Sequence, residues 1–328
     1  MEELLIHHIS DYSTLVLLVI IAITLYTLSK GADILVDEAV SLSVHWGVPK
    51  MIIGATIVSL GTTLPEATVS VMAAVNGNPD LALGNAVGSI ICDTSLIIGI
   101  SSLLGELKVD PFTIRRQGKL QLGAGLLLIL ASMPFLGGYV SQFAGFVFLA
   151  LLATYLIMSL HWSKGSTESD EEIEEEESSV FIQVTKMIAG IILIILSSKV
   201  LIPTVEITAI RVGVPQSIIA ATLVAFGTSL PELVTAISSV RKGHGELAIG
   251  NIVGADILNV LFVVGASASV TRGGLLVPNE FYTLQFPVMA VALLVFRYLS
   301  TRKANMISKV GGSVLLLIYV GYLIMNYL

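Results

Sequence analysis

Charged residues are scarce in this sequence, and cysteine is almost absent. Only 12% of the 328 residues are charged, whereas 55% are hydrophobic, and this balance excludes an ordinary soluble domain. The single cysteine, Cys92, allows no internal disulfide. The chain begins MEELLIHHISD, which lacks the basic n-region of a secretory signal, so we expect no cleavable signal peptide. A phosphate-binding Gly-x4-Gly-Lys-(Ser/Thr) motif is also missing, so we expect no dependence on ATP.

Long apolar segments make up most of the chain. Ten of them lie near residues 13–41, 50–75, 80–104, 118–136, 140–160, 181–209, 215–240, 246–270, 281–298 and 308–326. Most reach the roughly 20 residues with which a helix spans a bilayer. They are unbroken runs rather than the roughly ten-residue alternating segments of a membrane barrel. The sequence therefore predicts an all-α polytopic membrane protein with ten transmembrane helices.

A segment of the chain occurs twice. Residues 47–99 align without a gap with residues 213–265, and 22 of the 53 positions are identical. Because five helices make up each half, the second half must enter the membrane in the opposite orientation to the first, which gives an inverted 5+5 repeat. The predicted division is a first five-helix repeat, an acidic linker and a second, inverted repeat, at residues 1–161, 162–180 and 181–328.

Charge patterning predicts the orientation. Residues 170–177 read DEEIEEEE, which is typical of a solvated, disordered linker; a calcium-regulatory role stays open, although the stretch lacks the spaced ligands of a calcium-binding loop. With the N-terminus outside, twelve Lys and Arg residues fall on the inner side and two on the outer side. Since basic residues favour the cytoplasmic side, we expect a multi-pass protein of the cell membrane with both termini outside and a cytoplasmic linker.

Each copy of the repeat carries a Gly-Thr-(Thr/Ser)-Leu-Pro-Glu hexapeptide inside an apolar run, at residues 61–66 and 227–232. A carboxylate at membrane depth costs about 2.5–3.5 kcal/mol or more, so Glu66 and Glu232 are functional candidates. The structural alternative is that the prolines only kink helices and that the acids pair with bases. The candidate basic partners are Lys30 and Lys199.

The hexapeptides supply oxygen ligands. Proline removes a backbone donor and glycine eases unwinding, so we expect partly free carbonyls near residues 59–62 and 225–228. Such backbone is tolerated at membrane depth where it lines a cavity. Side-chain oxygens come from Thr62, Thr63, Glu66, Thr228, Ser229 and Glu232. These hard donors suit calcium and sodium rather than the softer transition metals.

The second block of each repeat, Gly-Asn-x-Val-Gly, lies at residues 84–88 and 250–254. Its glycines are predicted to seat the helix against a neighbour. Its asparagines, Asn85 and Asn251, either contact an ion or bond to backbone between helices, and the sequence leaves both possibilities open.

Polar positions follow this block. Ser89 and Asp93 are four residues apart and share a helix face; Ala255 and Asn259 occupy the matching positions in the second copy. Asp256 breaks the symmetry because its counterpart is Ile90. It either contacts an ion on the same face or pairs locally.

These motifs resemble those of the cation/calcium antiporter superfamily, which includes the sodium/calcium exchangers and their prokaryotic relatives. The likeness covers nearly the whole chain, and it is most specific in the two hexapeptides and the two Gly-Asn-x-Val-Gly blocks. The resemblance implies calcium-binding carboxylates at Glu66 and Glu232 and threonine carbonyl ligands at Thr62 and Thr228. The sodium-site groups that it implies are Ser59, Thr63, Ser89, Ala225 and Ser229, and the mid-site polar pair is Asp93 and Asn259.

The sequence departs from the family pattern after the second block. Where the family usually has Gly-Ser-Asn, this chain has Gly254, Ala255 and Asp256, which removes a hydroxyl and adds a carboxylate. The aspartate of the mid-site pair also lies in the first repeat, at Asp93. A calcium site stays intact under these changes, while the number and place of sodium sites are left open.

The resemblance implies a secondary antiporter, not an enzyme, that exchanges sodium for calcium by alternating access with no cofactor. The first and sixth helices would form the gating bundle. The expected partners are calcium and sodium ions and the lipid bilayer, without nucleic acid. The nearest alternative is a proton/calcium antiporter that uses the same carboxylates; more distant ones are a passive cation channel and an intramembrane aspartyl protease based on Asp93 and Asp256.

Overall fold

The computed structural model describes residues 12–163, 179–213, 226–302 and 305–327. Most of this part of the chain is helical, with very short strands between some helices. Ala225 and most of the predicted linker lie outside the described residues. The helices are α1 (Thr14–Trp46), α2 (Lys50–Thr62), α3 (Leu64–Val75), α4 (Pro79–Leu104), α5 (Pro111–Ala131), α6 (Gln142–Ser163), α7 (Val180–Arg211), α8 (Leu230–Arg241), α9 (Gly245–Val270), α10 (Phe281–Ser300) and α11 (Lys309–Tyr327).

Several helices are long and apolar enough to cross a membrane. In the described part of the chain there are seven, or eight if the bent pair α2 and α3 is counted as one span. The fourth predicted segment, 118–136, is a helix, but it begins earlier, at Pro111, after Asp110 caps its N-terminus through bonds to the backbone N–H groups of Phe112 and Thr113. The seventh predicted segment, 215–240, falls partly outside the described residues. The number ten therefore stays a prediction.

Four two-residue strands form two small antiparallel sheets. Strand β1 (Leu107–Lys108) pairs with β4 (Met306–Ile307), and β2 (Tyr139–Val140) pairs with β3 (Leu275–Leu276). The helix α5 separates β1 from β2, and its 21 residues are about 30 Å long. The two sheets therefore lie at opposite ends of the helix bundle.

Helices α1 and α7 pack along each other more extensively than either packs on any other helix in the described part of the chain. Their backbones come close at two glycines, because a Cβ added to Gly31 would lie 3.0 Å from the Gly190 carbonyl oxygen. Hydroxyls also bond across the pair, with 2.8 Å between Thr27 Oγ1 and Ser197 Oγ. Small residues permit this approach between membrane helices, and the two helices form one unit at the side of the bundle.

Helix α9 lies at the centre of the bundle, and 94% of its apolar 18-residue stretch is buried. It contacts α2 closely because a Cβ on Gly254 would lie 2.5 Å from the Ala55 carbonyl oxygen, and one on Gly250 would clash with Met51. In the first copy the predicted role of the glycines is wrong. A Cβ on Gly88 would meet no atom within 4 Å, and one on Gly84 would meet only Phe281, at 3.9 Å.

Helices α2 and α3 meet at a bend of 46°. The bend falls at Thr63, and Pro65 occupies the first turn of α3, where a missing N–H is tolerated. The prediction of partly free carbonyls is wrong for Ser59, because its carbonyl accepts the Thr63 N–H at 2.9 Å. Pro65 has no N–H to donate to the Gly61 carbonyl. The interruption of the backbone hydrogen bonds therefore lies at Gly61, closer to the proline than Ser59.

Candidate cation-binding site

Four helices bring four carboxylates into the interior. Glu66 is in the first turn of α3 and Glu232 in the first turn of α8, while Asp93 lies on α4 and Asp256 on α9. Each of the four residues is only 1–2% exposed. Both glutamates have the same local structure, because the proline before each of them lies in the first turn of a helix.

Most of the carboxylate oxygens have no hydrogen-bond donor. Within the described residues, neither oxygen of Glu66 or Asp93 accepts a hydrogen bond, and Glu232 Oε2 and Asp256 Oδ1 also lack a donor. The charges of Glu66, Asp93 and Glu232 repel one another, and Asp256 repels Asp93 and Glu232. Burying such unpaired charge costs several kcal/mol for each ion. The cluster therefore needs cations or protons from outside the chain.

In the described part of the chain, no basic side chain pairs with these carboxylates. The ion pairs found in the described residues join Lys108, Lys186 and Lys242 to acids elsewhere. The two basic residues considered as partners, Lys30 and Lys199, are exposed, and Lys30 lies over the ring of Tyr26. The structural alternative, in which the glutamates are held by bases, has no support among the described residues.

Hydrogen bonds cross between the two copies of the repeat. Thr62 Oγ1 donates to Asn251 Oδ1 at 3.2 Å, and Thr228 Oγ1 donates to Asn85 Oδ1 at 2.9 Å. In the repeat, Thr62 corresponds to Thr228 and Asn85 corresponds to Asn251. The two bonds are therefore equivalent, and each joins the threonine of one copy to the asparagine of the other. Asn85 also donates to the Ser70 hydroxyl, at 2.9 Å, and to the Glu66 carbonyl. The asparagines thus fix the hexapeptides of the opposite half.

The hydroxyls of each hexapeptide face a carboxylate of the other half. Thr63 Oγ1 lies 3.5 Å from Glu232 Oε1, and the Thr228 hydroxyl faces Glu66. The hydroxyl of Ser229 faces Asp93 in the same way. The structure therefore brings the predicted oxygen donors of both halves into one region.

The remaining predicted residues differ in how the structure places them. Ser89 Oγ is 3.5 Å from Thr228 Oγ1, and the buried Asn259 Oδ1 has no partner among the described residues. Ser59 is fully buried, and its hydroxyl donates to the Thr56 carbonyl of its own helix. Ala225 lies outside the described residues, so its role as a sodium ligand stays a prediction.

The carboxylates do not converge on a single point. In the part of the chain that is described, no three His, Cys, Asp or Glu side chains are arranged to hold a metal ion. A calcium ion takes six to eight oxygens, so a site here needs hydroxyl, carbonyl and amide oxygens beside a pair of carboxylates. The cross-repeat arrangement of threonines and asparagines supplies such oxygens.

Asp256 has partners that the sequence reasoning missed. Its Oδ2 accepts a hydrogen bond from Thr94 Oγ1 at 2.5 Å and one from Gln121 Nε2 at 2.6 Å. Gln121 lies on α5, outside the duplicated segment. The sequence signal was a pair of glutamines one turn apart, Gln117 and Gln121, on either side of Lys119, and both glutamines are buried.

Comparison with known proteins gives matches along nearly the whole chain. The model of the family described as sodium/calcium exchanger protein matches residues 16–161 and 183–328, two stretches of equal length. The inner membrane protein YrbG of Escherichia coli is 34% identical over 84% of this chain and 85% of that protein. The sodium/calcium exchanger MaX1 of Methanosarcina acetivorans is 27% identical over 94% of this chain and 97% of that relative.

A solved structure also matches. The sodium-calcium exchanger NCX_Mj, soaked with 10 mM Na⁺ and zero Ca²⁺, aligns with a TM-score of 0.78 and 27% sequence identity. The alignment covers 94% of this chain and 98% of that one.

Proposed function

The chain belongs to the sodium/calcium exchanger protein family, and from this premise we propose that it exchanges sodium for calcium across the membrane by alternating access. Membership makes it a multi-pass membrane protein and a cation/calcium exchanger, which is a transporter and not an enzyme. The observation that carries the sodium/calcium proposal is the cluster of four buried carboxylates, most of whose oxygens lack donors among the described residues and which lies beside hydroxyls from both halves.

Calcium is assigned to the two glutamates and the threonines of the hexapeptides. Glu66 and Glu232 each face hydroxyls of the opposite half, so an ion between them would take oxygens from both halves. We assign sodium sites to the surrounding hydroxyl, amide and backbone oxygens and to the two aspartates. The residues are Ser59, Thr63, Ser89, Asp93, Ala225, Ser229, Asp256 and Asn259.

Overlap between these sites explains exchange. An ion-free cluster of like charges resists closure, because a closed, dry interior strengthens their repulsion. Either calcium or a set of sodium ions compensates the charge and permits the closed form. If an exchange cycle moves net charge, each elementary charge contributes about 2.3 kcal/mol per 100 mV of membrane potential.

A proton/calcium antiporter is the second candidate. Protons would then replace sodium on the same carboxylates. The buried hydroxyls and amides near the carboxylates favour sodium, since a proton needs a single acceptor whereas a sodium ion needs several oxygens. Ser229 Oγ and Asn259 Oδ1 are buried without partners among the described residues and are suited to this role.

The inverted repeat that we propose is supported by the two small sheets. An offset near 166 relates β1 to β3 and β2 to β4. Exchanging the two halves therefore converts the β1–β4 sheet into the β2–β3 sheet, and these sheets lie at opposite ends of the bundle. A symmetry that swaps the ends requires a twofold axis in the membrane plane. The crossed bonds of Thr62 with Asn251 and of Thr228 with Asn85 obey the same symmetry.

Helices α1 and α7 are the proposed gating pair. They pack mainly on each other, and α7 has few contacts with the carboxylate-bearing helices. Ile191 of α7 lies against Gly61, and Ile202 lies against Gly227, so movement of this pair would change access to both hexapeptides. We retain the proposed division into repeats at 1–161 and 181–328, with a cytoplasmic linker at 162–180 and both termini outside.

The coupling ion can be tested by calcium-45 uptake into proteoliposomes. We expect uptake when sodium is trapped inside and none when only an outward proton gradient is imposed. Glu66→Gln should reduce the sodium-driven rate at least about 100-fold, because loss of a charged ligand costs about 3 kcal/mol or more. Glu280→Gln, at an exposed acid, serves as the matched control and should transport normally. Uptake driven only by protons would replace sodium with the proton-coupled alternative.

A further inference from the structure

Asp256 is the one acid of the buried cluster that the repeat does not explain. Its counterpart in the first copy is Ile90, whereas Glu66 matches Glu232 and Asp93 matches Asn259. It is nevertheless 2% exposed and tied to two other helices, α4 and α5. A buried charge in this position is costly, so we expect Asp256 to have a function at the site.

Within the described residues, the side-chain hydrogen bonds of Asp256 are confined to one oxygen. Thr94 and Gln121 both donate to Oδ2, at 2.5 and 2.6 Å. Two donors on one oxygen fix the plane of the carboxylate and stabilise its negative charge. They also draw α4 and α5 onto the central helix α9. The other oxygen, Oδ1, is left in a fixed position.

Oδ1 has no donor among the described residues, although it is buried. The charged groups that interact with Asp256 in this part of the chain are Asp93 and Glu232, and both are negative. A fixed, buried carboxylate oxygen with only negative neighbours is a position at which a cation is stabilised. A calcium ion shared by the two glutamates would offset two of the four negative charges and leave those of Asp93 and Asp256.

The donor set around Asp256 suits a monovalent ion. Asp256 offers one free carboxylate oxygen, and its neighbours Thr94 and Gln121 are uncharged. Calcium sites use six to eight oxygens and usually several carboxylates, whereas Asp256 contributes a single carboxylate oxygen, Oδ1. With the charges of the two glutamates offset by calcium, one carboxylate charge at this position matches a sodium ion better than a second divalent ion.

We propose that Asp256, oriented by Thr94 and Gln121, forms a subsite for one sodium ion beside the calcium site and not as part of it. The inference rests on the proposed sodium/calcium exchange. It assigns a sodium site in the second half, where Ala255 supplies no hydroxyl. Thr94 and Gln121 are positioning residues that act through the carboxylate.

Equilibrium binding to the purified full-length protein in detergent tests this subsite. Sodium-22 and calcium-45 are titrated separately, and the number of ions bound per chain is measured for the unmodified protein and for Asp256→Asn. The amide is isosteric and can still contact Thr94 and Gln121. We expect Asp256→Asn to bind one sodium ion fewer per chain and to retain one calcium ion. Asp80→Asn, the same change at an exposed position, should bind both ions as the unmodified protein does.

A second variant keeps the carboxylate and removes one of its donors. Thr94→Val should leave the number of sodium ions unchanged but weaken about tenfold the binding of the one sodium ion that Asp256→Asn loses, as expected for a hydrogen bond to a charged group. Equal sodium stoichiometry in the unmodified protein and Asp256→Asn would overturn the subsite. Loss of calcium from Asp256→Asn would overturn its separation from the calcium site. Absence of sodium binding to the unmodified protein would instead refute the proposed function itself.

Discussion

At the scale of single residues, the protein places negative charge where its described residues offer no positive charge to balance it. Glu66, Glu232 and Asp93 are buried, and most of their oxygens lack donors among the described residues. Ordinary cores avoid this because an unpaired buried charge costs several kcal/mol. A transport site has to tolerate it, since a permanently bound basic side chain would compete with the transported ion.

Asn85 and Asn251 should contribute unequally to stability. Asn85 bonds to Thr228, Ser70 and the Glu66 carbonyl, whereas Asn251 bonds to Thr62 and its amide nitrogen has no partner among the described residues. At about 1 kcal/mol per hydrogen bond, Asn85→Leu should lose about 2 kcal/mol more than Asn251→Leu. The measurement is the thermal unfolding midpoint of the detergent-purified variants without added calcium or sodium.

The control for this comparison is Asn76→Leu, at an exposed position, which should unfold close to the unmodified protein. If Asn85→Leu and Asn251→Leu had equal midpoints, the additional bonds of Asn85 would contribute nothing.

The sequence was informative about residues where it repeats itself. The duplication identified Glu66 and Glu232 as functional candidates. A carboxylate is energetically costly inside a membrane, yet it occurs at the same position of both hexapeptides. Thr94 and Gln121 were not predicted, since their role arises only when α4 and α5 pack against α9. A Thr or Gln in an apolar segment does not reveal which distant carboxylate it will meet.

At the scale of helices, glycine and proline determine how the carboxylate-bearing segments meet. Pro65 starts α3 after a bend of 46°, which places Glu66 in the interior. Gly254 lets α9 approach α2 so closely that a Cβ would lie 2.5 Å from both the Ala55 carbonyl oxygen and Ser59 Oγ. The separation of these helices therefore depends on a residue without a side chain.

Gly254→Ala should destabilise the protein, and Gly88→Ala should not. The two glycines are equivalent in the repeat, but a Cβ on Gly88 meets nothing within 4 Å. Overpacking at Gly254 should cost about 1–3 kcal/mol, whereas alanine at Gly88 should be neutral or up to about 1 kcal/mol stabilising through helix propensity. Thermal unfolding midpoints check both variants, and equal effects would contradict the asymmetric packing of the two repeats.

Helix boundaries could be predicted only in part. Apolar runs gave the approximate position of most spans, yet α5 begins at Pro111 because Asp110 caps it. Its first turns carry Arg115 and Arg116, whose charges lowered the hydropathy there and hid the helix. The Arg116 guanidinium lies over the rings of Phe112 and Trp162, so long basic side chains are accommodated at the end of the helix.

At the scale of the whole molecule, a two-helix unit lies against a core that holds the carboxylates. Helices α1 and α7 form the unit, and polar contacts connect one end of it to the core. Lys242, directly after α8, bonds to Asp37 at 2.7 Å, and Ser238 of α8 bonds to Asp33 at 2.7 Å. Partly exposed ion pairs contribute little to stability, so they can break during a conformational change. Alternating access through movement of this unit is compatible with these weak connections.

The central proposal is that calcium and sodium occupy the same buried site in turn. The most direct measurement is calcium-45 binding to the purified protein at increasing sodium chloride, with choline chloride as the control for ionic strength. We predict that sodium raises the apparent Kd for calcium steeply while choline has little effect, and that Glu232→Gln binds no calcium at concentrations that saturate the unmodified protein. Calcium binding that sodium changes no more than choline does would contradict the account.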